Sequence, residues 1–285
     1  MPLLKKLKKF NVLVTLLLAI CNTALANITV KHTPIPGGIA VIDFTSTHPN
    51  PKAFYGHVRV YVQPIKKSHW QALVGIPLGA TAGEKYITIE DFSSRKIAFQ
   101  VQPHHYKTQH IKLTGDRKKY VNPQPQRLER IARERVVLSK ARKSFSAKRL
   151  ANGQFSRPVD GVTTSPFGLK RFYNNQPRRA HTGLDYAGSV GTPITTPADG
   201  RVILTGAFFF NGNTVFLDHG QGLVSVYIHL DDILVESGQR LTQGEVLGTV
   251  GQTGRATGPH LHWGVYLNQT AINPNLLLQP TNDAI

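Results

Sequence analysis

Residues Thr257-Gly258-Pro259-His260-Leu261-His262-Trp263-Gly264-Val265 read as a Gly/Pro turn running into a β-strand. On a strand, positions i and i+2 point to the same face, about 6.6 Å apart along the chain. His260 and His262 therefore enter one cleft. One can bind a metal while the other works beside it.

Two further motifs lie upstream. His181-Thr182-Gly183-Leu184-Asp185 is an HxxxD pair, and His229 stands alone in Tyr227-Ile228-His229-Leu230. Fully extended, His181 and Asp185 would be about 13 Å apart, too far to share an ion at about 2.0–2.2 Å from each. A turn or kink is therefore expected at Thr182-Gly183, where glycine can supply an unusual backbone angle. His181, Asp185 and one histidine of the HxH pair make a His₂Asp set. That set suits Zn²⁺ and leaves a fourth position open to water, whose pKa zinc lowers from 15.7 toward about 7. The remaining histidine of the pair and His229 are then available for proton transfer, or to stabilise an oxyanion. A single histidine is more often a core or surface residue than a ligand. Four histidines and an aspartate gathered in one Gly-rich region are a different matter.

Around these motifs, residues 155 to about 278 alternate short strands with glycine turns. The strands are Val202-Ile203-Leu204, Thr214 to Leu217, Val224 to Tyr227 and Leu261 to Val265. Residues 27 to about 113 also read as β structure. Ile39 to Phe44, His57 to Val62, Tyr86 to Ile89 and Lys96 to Val101 alternate apolar and polar side chains between Pro and Gly. A small sandwich or barrel is expected there. His104, His105 and His110 lie in this part without acidic or Cys neighbours and read as surface histidines. Between the two regions, residues 117 to 149 hold twelve Lys/Arg and two acids. Leu128, Ile131, Ala132, Leu138, Ala141 and Phe145 recur at near-helical spacing. This basic helix is either a spacer or a contact to a membrane surface or wall polymer.

The fold class is mainly β: an N-terminal domain at 27–114, a basic helical linker at 115–151 and a C-terminal β domain at 152–285. Residues 1–26 read as a secretory signal peptide. Lys5, Lys6, Lys8 and Lys9 precede the apolar run Val12 to Ile20 and the small-residue site Ala24-Leu25-Ala26. Cleavage after Ala26 removes four Lys and brings the formal charge from +18 to +14. It also removes Cys21, the single cysteine. Leu18-Ala19-Ile20-Cys21 is a poor lipoprotein box, because Ile20 is bulky where a small residue belongs, so lipidation ranks below simple secretion. Without further cysteines there is no disulfide framework and no Cys-rich zinc or iron–sulfur site. No apolar run reaches the roughly 20 residues of a membrane span. The positive charge implies an acidic partner. Export argues against cytoplasmic nucleic acid, and the basic helix lacks interleaved aromatics for base stacking.

Ser165-Pro166-Phe167-Gly168, His181 to Asp185, Tyr227 to Leu230 and Gly254 to Trp263, in this order and spacing, resemble the LytM/lysostaphin-type zinc endopeptidases, the M23 peptidases. The resemblance spans about residues 155–275. It implies a LytM-type antiparallel β-sheet groove, zinc ligands at His181, Asp185 and His262, catalytic histidines at His229 and His260, and peptidoglycan peptide as substrate in the periplasm or cell envelope. Which histidine is the base stays open. Trp263-Gly264 follows the HLH string where many members carry an aromatic and then Glu. Trp70 to Pro77 and Arg127 to Arg135 more loosely resemble the β-rich N-terminal domain of some members. The alternative is a non-catalytic LytM-type wall-binding or hydrolase-activating factor. Such relatives lose the ligands, whereas all five positions are filled here.

Overall fold

The computed structural model describes residues 26–279; the expected signal segment up to Leu25, with Cys21, lies outside them. Seven strands build the N-terminal module: β1 (Ile39–Thr45), β2 (Lys52–Tyr55), β3 (Val58–Arg59), β4 (Tyr61–Lys66), β5 (His69–Gly75), β6 (Gly83–Glu90) and β7 (Ser94–Val101). They form two sheets, ordered β1-β5-β4 and β3-β2-β6-β7. Ala40, Ile42 and Val74 of one sheet pack on Ala53, Ile87 and Ile89 of the other. This is the expected small sandwich; β6 and β7 alternate buried and more exposed residues, while β4 and β5 bury continuous runs at one end. Pro64 is tolerated because β4 is an edge strand, paired only with β5 in its sheet.

Strand β8 (Thr108–Ile111) leaves that sandwich. It runs parallel to β10 (Lys170–Tyr173), which also pairs with β11 (Gln176–Pro177). A 3-10 turn, Gly115–Tyr120, then leads to helix α1 (Pro125–Arg142). Pro125 starts the helix where its missing N–H costs nothing. Of the apolar stripe, Ile131, Leu138 and Ala141 turn inward, while Leu128 is 54% exposed. Glu134 shares the inward face, so the helix is held by polar as well as apolar contacts.

The C-terminal module is one ten-stranded sheet, antiparallel throughout, with central order β17-β14-β15-β16-β19-β12-β9. Its strands are β9 (Thr163–Ser165), β12 (Leu184–Ala187), β13 (Pro193–Thr195), β14 (Gly200–Phe208), β15 (Gly212–Gly220), β16 (Leu223–Ile233), β17 (Arg240–Leu241), β18 (Val246–Val250), β19 (His260–Leu267) and β20 (Thr270–Ile272). Period two on β19 sorts its residues. Leu261, Trp263, Val265 and Leu267 enter the core, while His260, His262 and Tyr266 face a groove. The two modules share this core: Ile28, Ile39, Tyr61 and Leu73 belong to the cluster that holds Phe155 and Trp263. Asn268 ties them further, accepting from Gly75 N at 2.7 Å and donating to Gly75 O at 3.0 Å.

Candidate metal centre

The register of β12 against β19 sets Asp185 opposite His262. His181 precedes β12, and the chain bends at Gly183 as expected. The reason differs from the expected one. Gly183 has no positive φ; a Cβ there would lie 2.7 Å from His262 Nε2, so the glycine clears space for the imidazole.

Three donor atoms converge. His181 Nε2 lies 2.8 Å from Asp185 Oδ1 and 2.9 Å from His262 Nδ1, and His262 Nδ1 lies 2.7 Å from Asp185 Oδ1. All three residues are buried. His181 Nδ1 donates to the Pro166 carbonyl at 2.7 Å. In the neutral imidazole its Nε2 then carries a lone pair and cannot donate to its two neighbours. Convergent lone pairs with at most one shared proton among them fit a divalent cation, and the His₂Asp donor set suits zinc. Burial alone would raise the Asp185 carboxyl. Where a proton lies between an imidazole and the carboxylate, hydrogen bonds from His181 and His262 outweigh burial and hold that carboxyl well below the usual range. Burial likewise pushes His262 down to about 4, so it stays neutral and ligand-ready.

Beside the set stand His260 and His229, their rings 4.9 Å apart. His260 Nε2 is 4.0 Å from Asp185 Oδ1, outside the converging trio. Simple alternation along β16 would turn His229 away from Ile228, which lines the groove. A bulge intervenes: Asn213 pairs with Leu230 while Thr214 pairs with Ile228, leaving His229 unpaired at φ +69°. The extra residue re-aims the imidazole into the groove. Its Nδ1 donates to Thr253 O at 2.7 Å, and His260 Nδ1 donates to Gly258 O at 2.9 Å. Each ring therefore keeps its Nε2 free. Burial, with His260 and His262 as further contributors, lowers His229 to about 3.

All five residues expected from the motifs thus meet in one groove of about 770 Å³. One participant was not expected. Arg171 on β10 reaches Asp185 Oδ2 at 2.8 Å and Ser165 Oγ at 2.9 Å. No spacing signal marks it, because a lone Arg in a basic chain carries none. His104, His105 and His110 sit exposed, as surface residues.

Residues 179–274 match the profile of Peptidase family M23, and residues 32–104 match that of the Peptidase family M23 N-terminal domain. The crystal structure of a Pseudomonas aeruginosa protein assigned to peptidase M23 superposes with a TM-score of 0.73 at 39% identity. That match covers 86% of this chain and 95% of the other. The chain belongs to peptidase family M23. Among curated relatives, the peptidoglycan DD-endopeptidase ShyC of Vibrio cholerae is 40% identical over 126 residues, 41% of this chain and 29% of that protein. The DD-carboxypeptidase/endopeptidase Mpg of Neisseria meningitidis is 40% identical over 118 residues, 41% of this chain and 27% of that protein. The matched segment spans under a third of each of these curated relatives.

Proposed function

We propose that this chain is a zinc-dependent endopeptidase that hydrolyses peptide cross-links of peptidoglycan in the cell envelope. The observation that carries this reading is the meeting of His181, Asp185 and His262 with two further histidines on one groove wall. The names of the relatives support the substrate. His181 Nε2, Asp185 Oδ1 and His262 Nδ1 would hold the ion, which when bound acts as a Lewis acid on water and on the peptide carbonyl.

The chain's own groups supply the proton steps. Because backbone carbonyls hold the Nδ1 protons of His229 and His260, the Nε2 atom of either ring can accept a proton from the attacking solvent. A ring protonated at Nε2 then becomes the donor to the leaving amine. Burial makes protonated His229 a strong acid, suited to that second transfer. Base and donor roles remain exchangeable between the two. Arg171 keeps Asp185 ionised and oriented. The exposed cations of α1 provide a contact for anionic wall polymer.

The test is digestion of purified peptidoglycan by zinc-loaded protein, with fragments identified by mass. His181→Ala should lose metal and activity together. His229→Ala should keep zinc and lose about 10²- to 10⁴-fold in turnover; hydrolysis at the unsubstituted rate would refute its assignment. A protein that binds zinc and wall yet leaves every cross-link intact is a binding factor instead.

A further inference from the structure

The groove is lined by six arginines and only two carboxylates, Glu134 and Asp185. Both carboxylates are engaged. Glu134 takes Arg130 Nε at 2.6 Å and the Phe209 N–H at 2.7 Å, while Asp185 lies among the ligand histidines and Arg171. Two of the arginines are equally committed. Arg171 holds Asp185, Ser165 and Gln109. Arg178 holds the carbonyls of Pro177 and Val121 and the side chain of Gln176.

Arg255 differs. Its guanidinium carbon lies 4.8 Å from the Tyr173 ring centroid and 4.9 Å from that of Phe210. Two aromatic contacts hold the planar group in place, and Arg255 lines the groove. Among the described residues no carboxylate and no side-chain or carbonyl acceptor meets its guanidinium nitrogens. Burial disfavours the charged form; Tyr173 partly offsets this, and the nearby charges of Arg171 and Arg178 add to it. Arg255 is partly buried, and a partly desolvated cation without an anion carries a cost that is relieved when a ligand brings one.

The backbone holds this arginine firmly. Its N–H donates to Phe210 O at 2.9 Å. At Gly254, φ +71°, a Cβ would lie 2.7 Å from Phe210 O, so the loop is pressed against the turn before β15. Arg255 sits in the same loop as Thr253, whose carbonyl orients His229, and five positions before His260.

We infer that Arg255 receives a free carboxylate of the bound peptide, so that the groove selects an anionic peptide over its amidated counterpart. The inference rests on the peptidase reading for the kind of ligand, and on the orphaned guanidinium for the chemistry. A charge-assisted, two-pronged contact in a partly dry site favours the free acid by about 10- to 100-fold.

The test uses two synthetic D-alanyl cross-linked peptide dimers, one with every carboxylate free and one with each converted to the carboxamide. Binding is measured by calorimetry on zinc-loaded His229→Ala protein, whose turnover, about 10²- to 10⁴-fold slower, leaves the dimers intact over a titration. The free acid should bind about 10- to 100-fold more tightly. Adding Arg255→Met should erase that preference, and Arg255→Lys should restore part of it. Equal affinity for the two dimers in protein that keeps Arg255 overturns the inference, with no need for the variants to fold. A preference that survives Arg255→Met overturns it as well. Hydrolysis of both dimers by the unsubstituted protein is followed in parallel. Selective binding without hydrolysis keeps the carboxylate site and sinks the peptidase; hydrolysis without selectivity does the reverse.

Discussion

Arg171 grips the oxygen of Asp185 that the imidazoles leave free: Nη2 lies 2.8 Å from Oδ2, while Oδ1 faces His181 and His262. The guanidinium also takes Gln109 of β8 through Nε at 3.1 Å. A strand from the N-terminal half thus steadies a proposed metal ligand in the C-terminal half. Groups that orient a ligand in this way are worth about 10- to 100-fold in metal affinity. Arg171→Met should lower zinc affinity by that amount while preserving the fold. Competition against a chromophoric chelator measures it, and unchanged affinity would reduce Arg171 to a surface cation.

The site was more legible than the scaffold that tunes it. HxH on β19 and HxxxD before β12 are local patterns, and period two carries them directly into space. His229 shows the limit. Strand periodicity alone turns it away from Ile228, and only the bulge opposite Asn213 and Thr214 returns it to the groove. That bulge is a property of paired strands, invisible in either one. The sandwich was readable from alternation in β1, β5 and β6. The departure of β8 to join β10 was not, because parallel pairing between residues about 60 apart leaves no local mark. Helix α1 was placed well, but its apolar stripe over-predicts burial. Leu128 stays exposed, and Glu134 enters the groove in company with Ile131 and Leu138.

Gly183 should tolerate no side chain. An added Cβ lies 2.7 Å from His262 Nε2 and meets the Trp263 carbonyl as well. The backbone angle is ordinary, so the penalty is steric. Gly183→Ala should cost about 1–3 kcal/mol, the scale of overpacking, and should displace His262 enough to weaken zinc binding. Chelator-treated protein isolates the first effect in a thermal melt, and zinc titration isolates the second. A melt and a zinc affinity both matching the unsubstituted protein would mean that the strands part freely at this point.

Acid should destabilise the fold through a residue outside the groove. His219 donates Nδ1–H to Asp199 O at 2.8 Å, and its Nε2 meets Ser225 Oγ at 2.7 Å, which in turn meets Tyr227 OH at 2.9 Å. This chain requires a neutral ring, and burial lowers the pKa from 6.5 to about 4. The unfolded chain therefore binds the proton first as pH falls. The contribution is complete above the unfolded pKa, shrinks between about 6.5 and 4, and is gone below. Its full size is about 3 kcal/mol. Urea midpoints of chelator-treated protein should fall across that window. In His219→Gln, less stable at neutral pH, the fall should be shallower, and an identical pH dependence would contradict this account.

Helix α1 occupies one end of the groove. Leu138 and Ala141 pack against Phe216 and Val226, and Ile131, Leu138 and Arg142 line the cavity that also holds the metal set. Polar contacts fasten this segment to the groove side, among them Arg130 Nη2 to the Ala207 carbonyl at 3.2 Å. Glu134 accepts the Phe209 N–H at 2.7 Å, and Arg117 of the preceding 3-10 turn donates to the Thr257 carbonyl. A polymer strand laid along the sheet would meet the helix, whereas a short peptide need not. Glu134→Ala with Leu138→Ala removes one anchor and one apolar contact but no residue of the metal set. Truncation to residues 152–285 is the poorer experiment, because it strips Ile28, Ile39, Tyr61 and Leu73 from the shared core. The double variant should hydrolyse intact peptidoglycan several-fold faster and a short cross-linked dimer at nearly the same rate, with unchanged zinc content. A slower rate on both substrates would make α1 a working wall of the groove, and a faster rate on the short dimer alone would place the obstruction elsewhere.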